Sequence, residues 1–231
     1  MHLWWSLPHG EQLTAVRATL EILEPLAVDR LYFWALQVAF VKPGGGGAHL
    51  GLQHNRRHPG STAANFGGYA PADVGGLLDG TASELPSAPN DPNTRDFGWR
   101  PNRRYRLSVE RMPDGAPEGF FAWRGSVEDV ASGTISVVRT LFSRGEYLRG
   151  PVVWTEAFAR CEQPSVGAKW TDLETEGETR GVMRIPAGQV NYQLRSAGGC
   201  DNTNMDVEGD GWVQRTATDR TVPAGTVLRI E

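Results

Sequence analysis

Glycine and proline interrupt this chain so often that long helices have little room to form. Its 231 residues hold 28 glycines and 15 prolines, spread along the length rather than gathered into one linker. No window of about a dozen residues free of both shows a convincing 3.6-residue apolar period. Between the interruptions lie short runs rich in valine, threonine and aromatic residues, the pattern of strands joined by turns. The clearest run is DRLYFWALQVAFV, residues 29–41. Tyr32, Trp34, Leu36, Val38 and Phe40 share one face, and Phe33, Ala35, Gln37, Ala39 and Val41 share the other. Both faces are apolar apart from Gln37, which predicts a central strand covered on both sides.

Further strands are expected over residues 13–23, 48–55, 62–69, 105–112, 119–129, 134–142, 151–159, 165–174, 188–196, 211–218 and 226–231. SLPHGEQLTAVRATLEILEPL fits a helix through Leu13, Val16, Leu20 and Leu23, and its TAVRATLEIL fits a strand equally well by alternation. Its β-branched residues and β surroundings favour the strand. About twelve strands in one chain need closure or two stacked layers. The expected fold is therefore all-β, an antiparallel two-sheet jelly-roll sandwich in a single domain over 1–231. Residues 70–104 are the exception, rich in Pro, Gly, Asn and Asp and too long for an ordinary connection. Arg95, Asp96, Phe97 and Trp99 within it predict packing rather than disorder.

A net charge of −4, with 39% hydrophobic and 22% charged residues, describes a globular chain without the basic footprint that nucleic acid requires. Arg56-Arg57 and Arg103-Arg104 read as solvated strand ends. No apolar run approaches the ~20 residues of a membrane helix. The N-terminal MHLWWSLPHGEQL lacks the features of a secretion leader. With Met1 as native start the expected location is cytoplasmic, and secreted if a leader has been removed. Cys161 and Cys200 either form one disulfide or stay as thiols, according to compartment. The sequence sets no oligomeric state.

Candidate chemistry begins at GGGGAHLGLQHNRRHPG, 44–60, which holds three of the five histidines. On a strand, His49, Gly51, Gln53 and Asn55 share one face while Leu50, Leu52 and His54 share the other. His58 is held extended before Pro59. Opposed histidines argue against a shared metal, and leave His54 as an assisting acid/base group and Gln53 as a pocket-lining amide. In VVWTEAF, Trp154, Glu156 and Phe158 share a face; in AKWTDLE, Trp170 and Asp172 do so. Two Trp-x-acid strands suit stacking on a sugar ring with carboxylates on its hydroxyls. They equally suit a pair of acid/base carboxylates, or buried tryptophans with acids at strand ends. In CDNTNMDVEGDGW, Asp206, Glu208 and Asp210 before Gly211 approximate a calcium loop. Its twelfth position is Ala217 instead of an acid, and a tight hairpin explains the glycines as well. Nucleophile elbows and phosphate loops are missing.

The succession LYFWALQVAFV, a glycine turn and AHLGLQHN, followed later by GPVVWTEAFARCEQPSVGAKWTDLE, resembles bacterial β-sandwich proteins. These are similar in architecture to concanavalin A-like lectin and glucanase jelly rolls, and the resemblance spans about 30–175. It implies glycan binding before glycan cleavage, because the acidic triplet of laminarinase-type glucanases has no match. The leading expectation is a carbohydrate- or small-ligand-binding sandwich. Trp154, Trp170, Gln53, Arg95, Asp96 and Trp99 would line its site, with no cofactor unless calcium sits at Asp206, Glu208 and Asp210. The alternatives are an enzyme using Glu156, Asp172 and His54, on a glycan or a small biosynthetic substrate, and an interaction module without a small-molecule site.

Overall fold

A computed structural model describes residues 1–24, 26–41, 45–71 and 73–231. The described residues form sixteen strands, all antiparallel, which divide into two stacked leaves. The first leaf runs in the order β16 (Val227–Arg229), β13 (Ala187–Asn191), β1 (His2–Trp5), β10 (Tyr147–Ala157), β3 (Tyr32–Val41), β4 (Gly47–His54), β5 (Thr62–Tyr69) and β6 (Thr94–Asp96). The second runs β14 (Thr203–Glu208), β15 (Gly211–Thr216), β11 (Gly167–Gly177), β2 (Leu13–Ile22), β7 (Arg104–Met112), β8 (Phe121–Asp129) and β9 (Thr134–Ser143), with β12 (Gly181–Arg184) hairpinned onto β11. The leaves touch by hydrogen bonding where Leu148 of β10 pairs with Leu13 of β2. The all-β antiparallel sandwich is thus as expected, with four strands beyond the twelve.

Alternation decides which side chains enter the interior. On β2, Val16, Ala18, Leu20 and Ile22 are all fully buried, so the segment that also fitted a helix is a strand. On β3, Tyr32, Trp34, Leu36, Val38 and Phe40 join the main core between the leaves. Trp34, Trp123, Trp170 and Trp212 are among its largest fully buried side chains. Each removes roughly 200 Å² from water, an upper limit of about 5 kcal/mol per ring. The opposite face of β3 carries Phe33 and Ala35, which join Val152 and Trp154 in a second, smaller buried cluster on the outside of the first leaf. A strand apolar on both faces is needed because both are covered.

The unexpected strands are short or polar. His2–Trp5 and Gly181–Arg184 have four residues each, Thr94–Asp96 has three, and Thr203–Glu208 lies in the segment read as a cation loop. Of the four-glycine run, Gly44 lies outside the described residues. Gly46 adopts φ +71° and its carbonyl accepts the Phe40 amide, which closes the turn into β4.

Gly51 is the glycine on which the outer face depends. A Cβ there would stand 2.0 Å from the Trp34 carbonyl oxygen and 2.8 Å from the Phe33 ring. Gly51→Ala must displace backbone and ring together, an overpacking expected to cost about 1–3 kcal/mol. Denaturant unfolding of the variant checks this, and an unchanged midpoint would show that Phe33 has room to move.

Candidate active site

The site begins with β10. Val153 and Thr155 point into the core, so Val152, Trp154 and Glu156 face outward. Trp154 is 9% exposed and meets Phe33 edge-on at 4.9 Å between ring centroids. Its Nε1 donates to Gln37 Oε1 at 3.1 Å. An indole N–H can only donate, so Gln37 turns its carbonyl to Trp154 and its NH2 group away. That NH2 group has no hydrogen-bond partner among the described residues.

Glu156, Gln37, Trp154 and His2 line a cleft of about 660 Å³ at the end of β10. Burial pushes the Glu156 carboxyl above its ordinary value. No side chain among the described residues makes it a hydrogen bond or ion pair. His2 lies across from Trp154 in the β1–β10 ladder, and burial pushes its imidazole down to about 4, which leaves it neutral over most of the pH range. His49, beside Phe33 and Trp154, is also lowered by burial. The walls come from the segment after β10 and from residues 193–203, joined by a Cys161–Cys200 disulfide with Cα atoms 5.6 Å apart. Asn202 Nδ2 donates to the Cys161 carbonyl and an Arg220 NH2 group to that of Cys200, each at 2.7 Å.

Of the residues expected in a site, Trp154 and Glu156 reach this cleft. Trp170 is fully buried, and its Nε1 donates to Gln214 Oε1 at 3.0 Å inside the core. Asp172 does not share its face. One extra residue bulges β11 between Thr171 and Glu174, Asp172 takes φ +48°, and the alternation reverses so that Leu173 and Thr175 point inward. Asp172 then pairs with Arg104 at 2.6 Å. The next outward acids pair in turn: Glu174 with Arg106, Glu176 with Arg17 at 2.8 Å, and Glu178 with Arg111 at 2.7 Å. This is a ladder of ion pairs on the second leaf. Among the described residues no second Asp or Glu lines the cleft with Glu156, so the two-carboxylate arrangement of glycoside hydrolysis is not formed there.

His54 points to the face opposite Gln53, where it meets Asp29 at 3.2 Å. Gln53 accepts from Asn55 at 3.1 Å through its side chain, and its backbone carbonyl accepts from Trp99 Nε1 at 2.9 Å. Trp99 is buried against Trp34. Asp96 binds His58 Nδ1 at 2.7 Å and the Ala88 amide. Arg95 lies opposite Ala64 in the β5–β6 ladder, with its Nε buried and unpaired. These residues seal the 70–104 segment onto the leaf and do not line the cleft. The calcium expectation is also corrected. Glu208 is paired with Arg215, Asp210 with Lys169 at 2.5 Å, and Glu208–Gly211 forms the hairpin between β14 and β15. The described residues contain no group of three or more His, Cys, Asp or Glu side chains placed to hold a metal ion.

The cleft residues not anticipated are Gln37, His2 and the two wall segments. Gln37 did leave a signal, as the single polar residue in the apolar run of β3. The pairing of that amide with a tryptophan more than a hundred positions away left none.

Neither a protein-family model nor a curated protein sequence matches the chain. Among solved structures, it is similar to Scytalido-glutamic peptidase with a peptide-based transition-state analogue, at 12% identity and TM-score 0.47, covering 92% of this chain and 95% of that one. It is also similar to SCP-B, a member of the eqolisin family of peptidases in complex with the tripeptide Ala-Ile-His, at 12% identity and TM-score 0.44, covering 93% and 94%. The expected carbohydrate-binding face is corrected by the packing of its own residues. The paired tryptophans that were to stack on a sugar are separated, Trp154 in the outer cluster and Trp170 enclosed in the core.

Proposed function

We propose that the cleft is the active site of a hydrolase in which the Glu156 carboxyl serves as both general base and general acid at a substrate carbonyl. The observation that carries this reading is a half-buried carboxyl, raised by burial against the opposing pull of the Met1 amino group and without an ion pair among the described residues, in a cleft beside an undirected amide donor. As carboxylate, Glu156 takes a proton from water while the water oxygen adds to the carbonyl carbon. The Gln37 NH2 group donates to the oxyanion that forms, and Trp154 holds that amide in place; one such donor is worth about 10²–10³ in rate. Protonated Glu156 then passes its proton to the leaving nitrogen or oxygen as the acyl bond breaks, and returns to carboxylate. A carboxyl raised towards the working pH suits both halves of this cycle.

The substrate class is an amide or ester, peptides included, with one segment seated in the cleft. The same reading takes the sandwich as concanavalin A-like, supported by two antiparallel leaves with the site on the outside of one. The disulfide at the cleft wall supports an oxidising compartment.

The test is digestion of a peptide library and a panel of small esters from acid to neutral pH, read by mass spectrometry. The expected result is turnover whose pH profile follows the Glu156 titration measured separately by carboxyl NMR. No turnover in either panel, or a profile unrelated to that titration, overturns the reading and leaves an interaction module.

A further inference from the structure

We propose that Gln214 is a positioning residue: from the second leaf it holds β10 in the placement that presents Trp154 and Glu156 to the cleft. The inference rests on the Glu156 reading and adds a residue that never touches substrate. Gln214 lies on β15, is fully buried, and reaches across the sandwich interior. Its Oε1 accepts from Thr155 Oγ1 at 2.5 Å and from Trp170 Nε1 at 3.0 Å, and its Nε2 donates to the Val153 carbonyl at 3.5 Å. The Trp170 N–H, which can only donate, fixes the orientation of the amide.

The two β10 residues held this way are the inward neighbours of Trp154. In a strand, fixing 153 and 155 inward fixes 154 and 156 outward. The placement needs fixing here. A bulge between Arg149 and Val152 separates this end of β10 from the Leu148–Leu13 pairing that joins the two leaves upstream. The ladders with β1 and β3 set the strand within its own leaf, but apolar contacts between leaves are non-directional and allow sliding. A hydrogen-bonded amide in the dry interior is directional. Gln214 therefore sets how deeply Glu156 sits at the cleft.

The test follows the Glu156 carboxyl by 13C NMR titration, with turnover of the best substrate in parallel, in wild type, Gln214→Leu, Thr155→Val and Gln214→Glu. Thr155→Val cuts the same link from the β10 side with little change of shape, and carries the test if Gln214→Leu does not fold. In both, the proton affinity of Glu156 is expected to fall towards that of an ordinary carboxyl, with kcat lowered more than KM is changed. Gln214→Glu offers the same acceptor and donor while protonated. It is expected to behave as wild type in acid and to lose that behaviour once it ionises. A raised Glu156 in wild type that stays unchanged in both folded Gln214→Leu and Thr155→Val overturns the role of Gln214 alone. An ordinary Glu156 titration in wild type overturns the active-site reading itself, and this inference with it.

Discussion

Glu156→Gln is expected to abolish turnover and, at neutral pH, to make the protein more stable. The loss of activity follows from removing the group that moves the proton in both half-reactions, an effect of about 10²–10⁴ in kcat. The gain in stability follows from linkage. Burial raises the Glu156 carboxyl in the folded protein, so the native state keeps its proton at pH values where the unfolded chain has released it. The favourable contribution is complete below the unfolded pKa and is lost as pH rises through the folded pKa. Above that window the native protein carries a poorly solvated carboxylate that glutamine does not have. Thermal unfolding of both proteins across the acid-to-neutral range should therefore give matching Tm values in acid and a higher Tm for the variant at neutral pH. Equal values throughout would show that Glu156 is hydrated normally and unsuited to the role assigned to it.

Removing the disulfide should have the largest effect on stability. Cys161 and Cys200 are 39 positions apart. Releasing a loop of that length in the unfolded chain costs the fold about 4 kcal/mol by the chain-entropy relation. For a chain of this size that is a fall in Tm of roughly 8–16 °C. Replacing both cysteines by serine, with calorimetry beside the wild type, measures it. The bond also ties together the two walls of the cleft, so the paired variant should lose activity at temperatures well below its Tm. A double-serine variant with wild-type Tm would place the wall contacts of Asn202 and Arg220, rather than the disulfide, in control of the rim.

The strands were the most legible part of this protein. Residues 62–69 form β5 within the expected bounds, and the alternation on 13–22 and 32–41 assigns the buried faces of β2 and β3 correctly. Alternation also put Trp154 and Glu156 on one face. It failed for Trp170 and Asp172, because a single bulged residue reverses the phase and nothing in AKWTDLE marks where it falls. Asp172 resembled chemistry in the sequence; arginines on two neighbouring strands make it, with Glu174, Glu176 and Glu178, a charge ladder instead. His49 and His54 lie on opposite faces of β4 and His58 is extended before Pro59, as the pattern predicts. The partners of His54 and His58, Asp29 and Asp96, could not be assigned from spacing.

Short-range pattern was sufficient for the all-β class, for most strands and for the outward direction of Glu156, since the period of two is a property of the extended backbone itself. The cleft required long-range pairing. Gln37 meets Trp154 across the β3–β10 ladder, Cys161 meets Cys200 across two loops, and Gln214 meets Thr155 across the gap between leaves. Hydrogen bonds and disulfides form wherever the fold brings matching groups within a few ångströms, and separation along the chain carries no trace of that distance. A glutamate facing outward was written into β10; its burial, and the chemistry that burial makes available, came from how the leaves and loops pack around it.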